Sequence, residues 1–292
     1  MPIVYIKKNI KKIRSLIYAR HKLIELSYSI NFPMEKNTKL LLSKDYTLKS
    51  FYMTFRNTKE PAKRVILETL ISKIFPTNTF ILDVGAYIGD NSLPWSMCFK
   101  NHNIVAIDPS ISNCNFIIDT ASLNNIKNLQ VINCLISDIN AQYKAINDID
   151  HSAFKQELNL RSKSQTIQSK SIDEISVNFS TKVSLIHIDV EGMEKNVILS
   201  SRDTISRDRP VIVFEDHLRD KTFDDLSKIL TSMNYSIYLI NEILEGNRPD
   251  CRNYLALPNE TKDNILNLVQ NISLDYCHNW FPVIGNQAVL KN

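Results

Sequence analysis

Two rhythms of apolar positions alternate along residues 61–258. The run AKRVILETLISKIF, residues 62–75, repeats its apolar side chains at steps of three and four and stops before Pro76, which predicts an amphipathic helix. Short unbroken runs rich in Ile and Val follow: TFILDV (79–84), NIVAID (103–108), LQVINCLI (129–136), VSLIHIDV (183–190) and RPVIVFE (209–215). Runs of that length read as strands buried on both faces. Helical spacing lies between most of them, at about 89–99, 111–123, 193–205 and 222–233. Strand and helix in this order predict a doubly wound α/β fold on a mostly parallel, Rossmann-like sheet.

The rhythm breaks in three places. Residues 139–180 are polar and too long for an ordinary connection, so they are expected to form a lid or a hairpin insertion. YSIYLI (235–240) and RNYLALP (252–258), joined by the turn-rich NEILEGNRPDC, predict a C-terminal antiparallel pair. At the start, Ile3, Ile6, Ile10, Ile13 and Ile17 fall at helical spacing, giving an N-terminal helical extension. The expected organisation is a basic helix and irregular cap over 1–60, a main domain over 61–270 carrying the insertion, and a tail over 271–292.

Composition narrows the picture. With 292 residues and 43% hydrophobic content, the chain can bury a full core without metal or disulfide support. Five widely spaced cysteines with no C-x-x-C pair favour reduced thiols, and no run approaches the ~20 apolar residues of a membrane span. A cytoplasmic location is expected. Residues 1–30 hold seven Lys and Arg against Glu25 alone, although the whole chain carries only +4, so the body is slightly acidic. The basic helix therefore either docks on an anionic membrane surface or packs its isoleucines on its own domain or on a second copy in a homo-oligomer. An acidic body offers nucleic acid little, and none is expected as a partner.

The first chemistry lies in FILDVGAYIGD, residues 80–90. Asp83 ends a strand, Gly85 lets the backbone approach a ligand, Gly89 opens the next helix, and a second acid, Asp108, ends the next strand where ribose hydroxyls are held in such folds. A dinucleotide loop needs G-x-G-x-x-G, but Tyr87 occupies the central position and Asp90 follows Gly89. Acids repel phosphate and welcome a cation, so S-adenosylmethionine is favoured over NAD. An NAD-dependent oxidoreductase on a similar fold and a catalytically inactive binding protein stand as alternatives.

The second chemistry lies in LIHIDVEGMEKNV and VIVFEDH. Alternation puts His187 and Asp189 on one strand face, Glu191 and Glu194 follow in the turn, and Glu215, Asp216 and His217 crowd the end of the next strand. Such a cluster suits a general base. It also suits a divalent metal, or hydrogen bonding alone, although no ligand spacing supports a metal site.

Taken in order, LDVGAYIGDNSL, IVAIDPS, SIDEI, IHIDVEGME, RPVIVFE and NYLALP resemble the FkbM family of S-adenosylmethionine-dependent methyltransferases over residues 79–257. The chain departs from the family pattern at Tyr87, where Asn is expected, at Asp108 for Glu, at His187 for Lys and at Met193 for His. The resemblance implies a class I methyltransferase fold and O-methylation of a hydroxyl on a sugar, glycan or secondary metabolite. It implies a cofactor site of Asp83, Gly85, Ala86, Tyr87, Gly89, Asp90, Asn91, Asp108, Pro109, Asp138 and Asp189. Catalysis would fall to Asp189, Glu191, His217 and His187, and acceptor contacts to His151, Ser152 and Glu215.

Overall fold

A computed structural model of the protein describes residues 27–29, 39–42, 49, 53, 60–145, 154–155, 166–217, 223–240, 251–269 and 284–287. Two short strands come first, β1 (Ser27–Ser29) and β2 (Lys39–Leu41), paired antiparallel. Helix α1 (Pro61–Lys73) starts at a proline, whose fixed φ suits the first helical position and whose missing N–H costs nothing there. Then come β3 (Phe80–Val84), α2 (Ser92–Cys98), β4 (Asn103–Asp108), α3 (Ile111–Leu123) and β5 (Leu129–Asn133). Ser110 caps α3 through its side chain, which accepts from Asn113 N.

The chain then leaves the main sheet for β6 (Leu135–Ile136), β7 (Gln142–Ala145), β8 (Phe154–Lys155) and β9 (Thr166–Lys170), which form a second sheet in the order β6-β9-β7-β8. The described parts of the polar insertion thus supply β7, β8 and β9 to a separate small sheet, and the run 129–136 is two strands. The break falls at Cys134, beside Asn133, whose Nδ2 donates to the carbonyls of Asp108 (2.9 Å) and Pro109 (3.0 Å) and anchors the end of β5 to the end of β4.

Helix α4 (Ile172–Ser176) opens on a capping box: Glu174 N donates to Ser171 Oγ at 3.0 Å, and Ser171 N to Glu174 Oε2 at 2.8 Å. Strand β10 (Val183–Ile188) is followed by α5 (Glu194–Leu199) and α6 (Arg202–Asp208), where the sequence predicts a single helix. Between them Ser200 and Ser201 both turn their hydroxyls back onto the Val197 carbonyl, at 2.8 and 2.6 Å, competing with the helical ladder. The remaining elements are β11 (Val211–His217), α7 (Phe223–Ser232), β12 (Tyr235–Ile240), β13 (Cys251–Pro258), α8 (Lys262–Val269) and β14 (Ile284–Gln287).

The main sheet runs β14-β12-β13-β11-β10-β3-β4-β5, parallel from β11 to β5 and antiparallel beyond. The predicted antiparallel pair is β12 and β13, and β14, from the stretch read as a tail, pairs with β12. The predicted N-terminal helix, carried by Ile3 to Ile17, lies outside the described residues, and of residues 1–30 only Ser27–Ser29 is described, as a strand. Among the described residues, no helix is long and apolar enough to cross a membrane.

Alternation divides the sheet into two faces. Leu82, Val84, Ile186, Ile188, Ile212 and Phe214 pack on α5 to α7. Ile81, Leu185, Val211, Val213 and Leu255 pack under Ile66, Leu67 and Leu70 of α1, with Trp95 of α2. This second face carries the chemistry.

Candidate active site

The register of the strands builds the site. Ile107, Val84, Ile188 and Phe214 align across β4, β3, β10 and β11, and Phe214 faces Tyr254 of β13. The next row, at the carboxyl ends of the parallel strands, reads Asp108, Gly85, Asp189, Glu215 and Asn253. Four polar side chains thus stand along one edge with a glycine between them. In open α/β sheets that edge is where ligands bind.

Two residues below this row, about 7 Å at a strand's rise per residue, Asp83 and His187 are register partners on the same face. Both are 1% exposed, and His187 Nδ1 lies 2.8 Å from Asp83 Oδ1. Ser92 Oγ donates to the other oxygen of Asp83, and the Trp95 ring meets His187 edge-on. Asp83 and His187 are therefore committed to each other under α1 and α2. His187, expected as a candidate base, and Asp83, expected as a cofactor residue, thus form a buried pair on the same sheet face, one alternation step below the row.

The loop after β3 takes three left-handed residues in alternation, Gly85 (φ 80), Tyr87 (φ 48) and Gly89 (φ 72). Gly85 is required by close packing, since a Cβ there would lie 1.8 Å from the Asp189 carbonyl oxygen. Gly85 N and Ala86 N donate to the Ile107 carbonyl, and Tyr87 N donates to Asp108 Oδ2 at 2.8 Å. Asn tolerates φ > 0 more readily than an aromatic residue does. Tyr87 adopts that conformation here, and its ring packs against the cluster of Leu40, Met53, Ile88 and Leu93.

Asp108 also accepts from Ser110 N (2.8 Å) and Asn113 Nδ2 (3.0 Å). Burial raises its carboxyl to about 6, against the lowering effect of those hydrogen bonds. Asp90 is held by Arg64, 2.6 Å from Nη2 to Oδ2, and Arg64 also donates to Asn91 Oδ1. Asp90, expected among the cofactor residues, thus forms part of a clamp between α1 and the loop. Pro109 turns its carbonyl to Asn133, and Asp138 accepts from Asn196 Nδ2 at 2.8 Å on an exposed surface.

The far half of the row is bordered by residues that the sequence reading passed over. Lys63, 1% exposed, lies 2.6 Å from Glu60, and Asn253 Nδ2 donates to Glu60 Oε1 at 2.8 Å. Burial alone would raise Glu60, but Lys63 and Arg64 prevail and hold it at about 2. Burial would lower Lys63, yet Glu60, Asp189 and Glu215 raise its affinity for the proton. Asp189 is pushed well above the usual carboxylate range, first by burial and then by the charge of Glu215. The sequence carries no signal for this: Lys63, Arg64 and Glu68 of α1 are residues that a bare amphipathic pattern would leave in solvent, yet all three are buried.

Glu191 sits in the turn after β10 at φ 52, next to Gly192, whose N–H donates to Glu194 Oε1. His217 ends β11 opposite Cys251. His151 and Ser152 lie outside the described residues. Among the described residues, no three His, Cys, Asp or Glu side chains are grouped to hold a metal ion.

Comparison with known proteins places this arrangement. The model of the Methyltransferase FkbM domain family matches residues 83–237, more than half of the chain. The chain belongs to the FkbM methyltransferase family. Among solved structures, this FkbM-family protein is similar to Methyltransferase FkbM from Methylobacillus flagellatus KT (19% identity, TM-score 0.45, covering 73% of this chain and 56% of that one). It is similar to Precorrin-6y C5,15-methyltransferase from Geobacter metallireducens GS-15 (14% identity, TM-score 0.40, 66% and 88% covered). It is also similar to a Streptococcus mutans protein solved with SAH (11% identity, TM-score 0.44, 68% and 98% covered). No curated protein matches the sequence. The fold is that of a class I methyltransferase.

Proposed function

We propose that this protein moves a methyl group from S-adenosylmethionine to a hydroxyl of a sugar, glycan or secondary-metabolite acceptor. The observation that carries the reading is the row Asp108, Gly85, Asp189, Glu215 and Asn253 at the strand ends, on a chain of a methyltransferase family. The donor set fits the cofactor. Asp108 offers a buried carboxylate where a ribose diol is recognised, and the half-buried Glu191 together with Asp189 and Glu215 gives the rest of the row an acidic character suited to a sulfonium. Bound there, S-adenosylmethionine supplies an electrophilic methyl group and requires no metal for its reactivity.

The protein's share is orientation and proton removal. Asp108, the backbone of residues 85–89 and Pro109 would hold the nucleoside, with Asp138 on the adenine side. Asp189 suits the role of proton acceptor, because its raised proton affinity lets a carboxylate oxygen take the acceptor's hydroxyl proton. Glu191 borders the same turn, and His217 is a second candidate base at the end of β11. Glu215 would contact the acceptor, joined by His151 and Ser152. The acidic site and slightly acidic body favour a small-molecule or glycan acceptor over nucleic acid. The basic segment 1–30 offers membrane contact or self-association.

Calorimetric titration with S-adenosylhomocysteine (SAH), alongside NADH, tests the reading. The expected result is saturable SAH binding that Asp108→Ala abolishes, and no NADH binding. NADH binding without SAH binding would transfer the site to oxidoreductase chemistry, and SAH binding without methyl transfer to any hydroxyl acceptor would make it a binding protein.

A further inference from the structure

The charged group sealed behind the acidic row has no counterpart in the cofactor chemistry. Lys63 is 1% exposed on the first turn of α1, with one of its ammonium donors spent on Glu60 at 2.6 Å. Glu60 is fixed from the opposite side by Asn253, and Asn253 is the register partner of Glu215. Arg64, one residue on, ties the same turn to Asp90 and Asn91. The helix start is thus pinned to the cofactor loop on one side and to β13 on the other. Through Glu60 and Asn253 the ammonium is tied to the row that holds Glu215 and Asp189, and the negative charge of both strengthens its hold on the proton. A buried ammonium with a single dedicated carboxylate would be a closed pair. Here the pair stands next to two further carboxylates on the line where the acceptor's proton must go.

Resting on the methyltransferase reading, we infer that Lys63 is a positioning residue for the proton-accepting carboxylate Asp189 beside Glu215, and that Glu60 sets how much of its charge reaches Asp189. Glu60 and Lys63 work in opposition. The ammonium favours the ionised, proton-accepting form of Asp189, whereas the Glu60 carboxylate opposes it. The charged groups that act on Asp189 are Glu215 of β11, Lys63 on the first turn of α1, Glu60 at its cap and Glu191 after β10, and of these Lys63 is the cation.

The test compares Lys63→Met, Glu60→Gln and Lys63→Arg in the full chain. Asp189 titration is followed by carbon-13 NMR of labelled side-chain carboxyls, assigned by its loss in Asp189→Asn. Lys63→Met is expected to raise the Asp189 midpoint by about one pH unit or more, Glu60→Gln to lower it, and Lys63→Arg to restore it. The acidic limb of the kcat/KM profile moves with it in each case, while SAH affinity stays within about twofold. Should Lys63→Met fail to fold, the downward shift in Glu60→Gln carries the inference. Midpoints that stay fixed, or move the same way in both variants, overturn it. Absence of SAH binding in the unaltered protein overturns the methyltransferase reading instead, and opposite NMR shifts would still stand.

Discussion

A methyl group added at Gly85 would meet backbone atoms, the carbonyl of Asp189 at 1.8 Å and its carbon at 2.7 Å, and φ is 80. Neither obstacle can rotate away, so Gly85→Ala is expected to cost about 3 kcal/mol or more, read as a lowered urea midpoint. Asp108 gives a prediction with a defined sign. Its folded carboxyl titrates near 6, above the ~3.9 of an unfolded chain, so folding favours its protonated form. That contribution is complete below about pH 4 and lost as pH rises through 6. Urea melts from pH 4 to 7.5 should show the unaltered protein losing roughly 3 kcal/mol relative to Asp108→Asn over that window. If Asp108 holds the ribose as proposed, SAH binding runs the other way, weakening up to about tenfold per pH unit below 6 as its carboxylate takes a proton. The sequence showed which acids lie at strand ends but not which are spent inside the protein. Asp83 and Asp90 look as available as Asp108 in the linear chain. Their partners, His187 and Arg64, lie 104 and 26 positions away and are found only through register and helix packing.

Helix α1 was legible as a helix because its apolar residues repeat correctly, yet its role was hidden, because buried cations break that pattern without announcing partners. Arg64→Met leaves Asp90 without its guanidinium and frees the loop. The expected outcome is a loss of about 2–3 kcal/mol in urea unfolding together with weaker SAH binding. A change of equal stability cost that leaves SAH affinity intact would confine Arg64 to packing. The small helix α4 offers a local check: Ser171→Ala removes one half of a capping box, and about 1 kcal/mol of stability is expected to go with it. The helix predicted over 193–205 divides because two adjacent serine hydroxyls reach the same carbonyl, an event of geometry that average helical spacing does not reveal.

At the scale of the whole molecule, the parallel half of the sheet followed directly from its apolar runs, while the placement of β13 between β11 and β12 did not. Antiparallel pairing in sequence order would put β12 next to β11. Instead β13 enters and delivers Asn253 to the edge of the site. Strand β14 then covers the outer side of β12. Truncation before residue 271 is expected to preserve SAH binding but to uncover the β12 edge, giving concentration-dependent association by light scattering. The long reach of Asn253 also bears on how the protein is made. Glu60 and its amide partner are 193 positions apart. A nascent chain that has emerged through β5 already holds the glycine loop and Asp108, yet it lacks Asp189, Glu215 and Asn253, so the polar row at the strand ends cannot be completed until translation has passed residue 253.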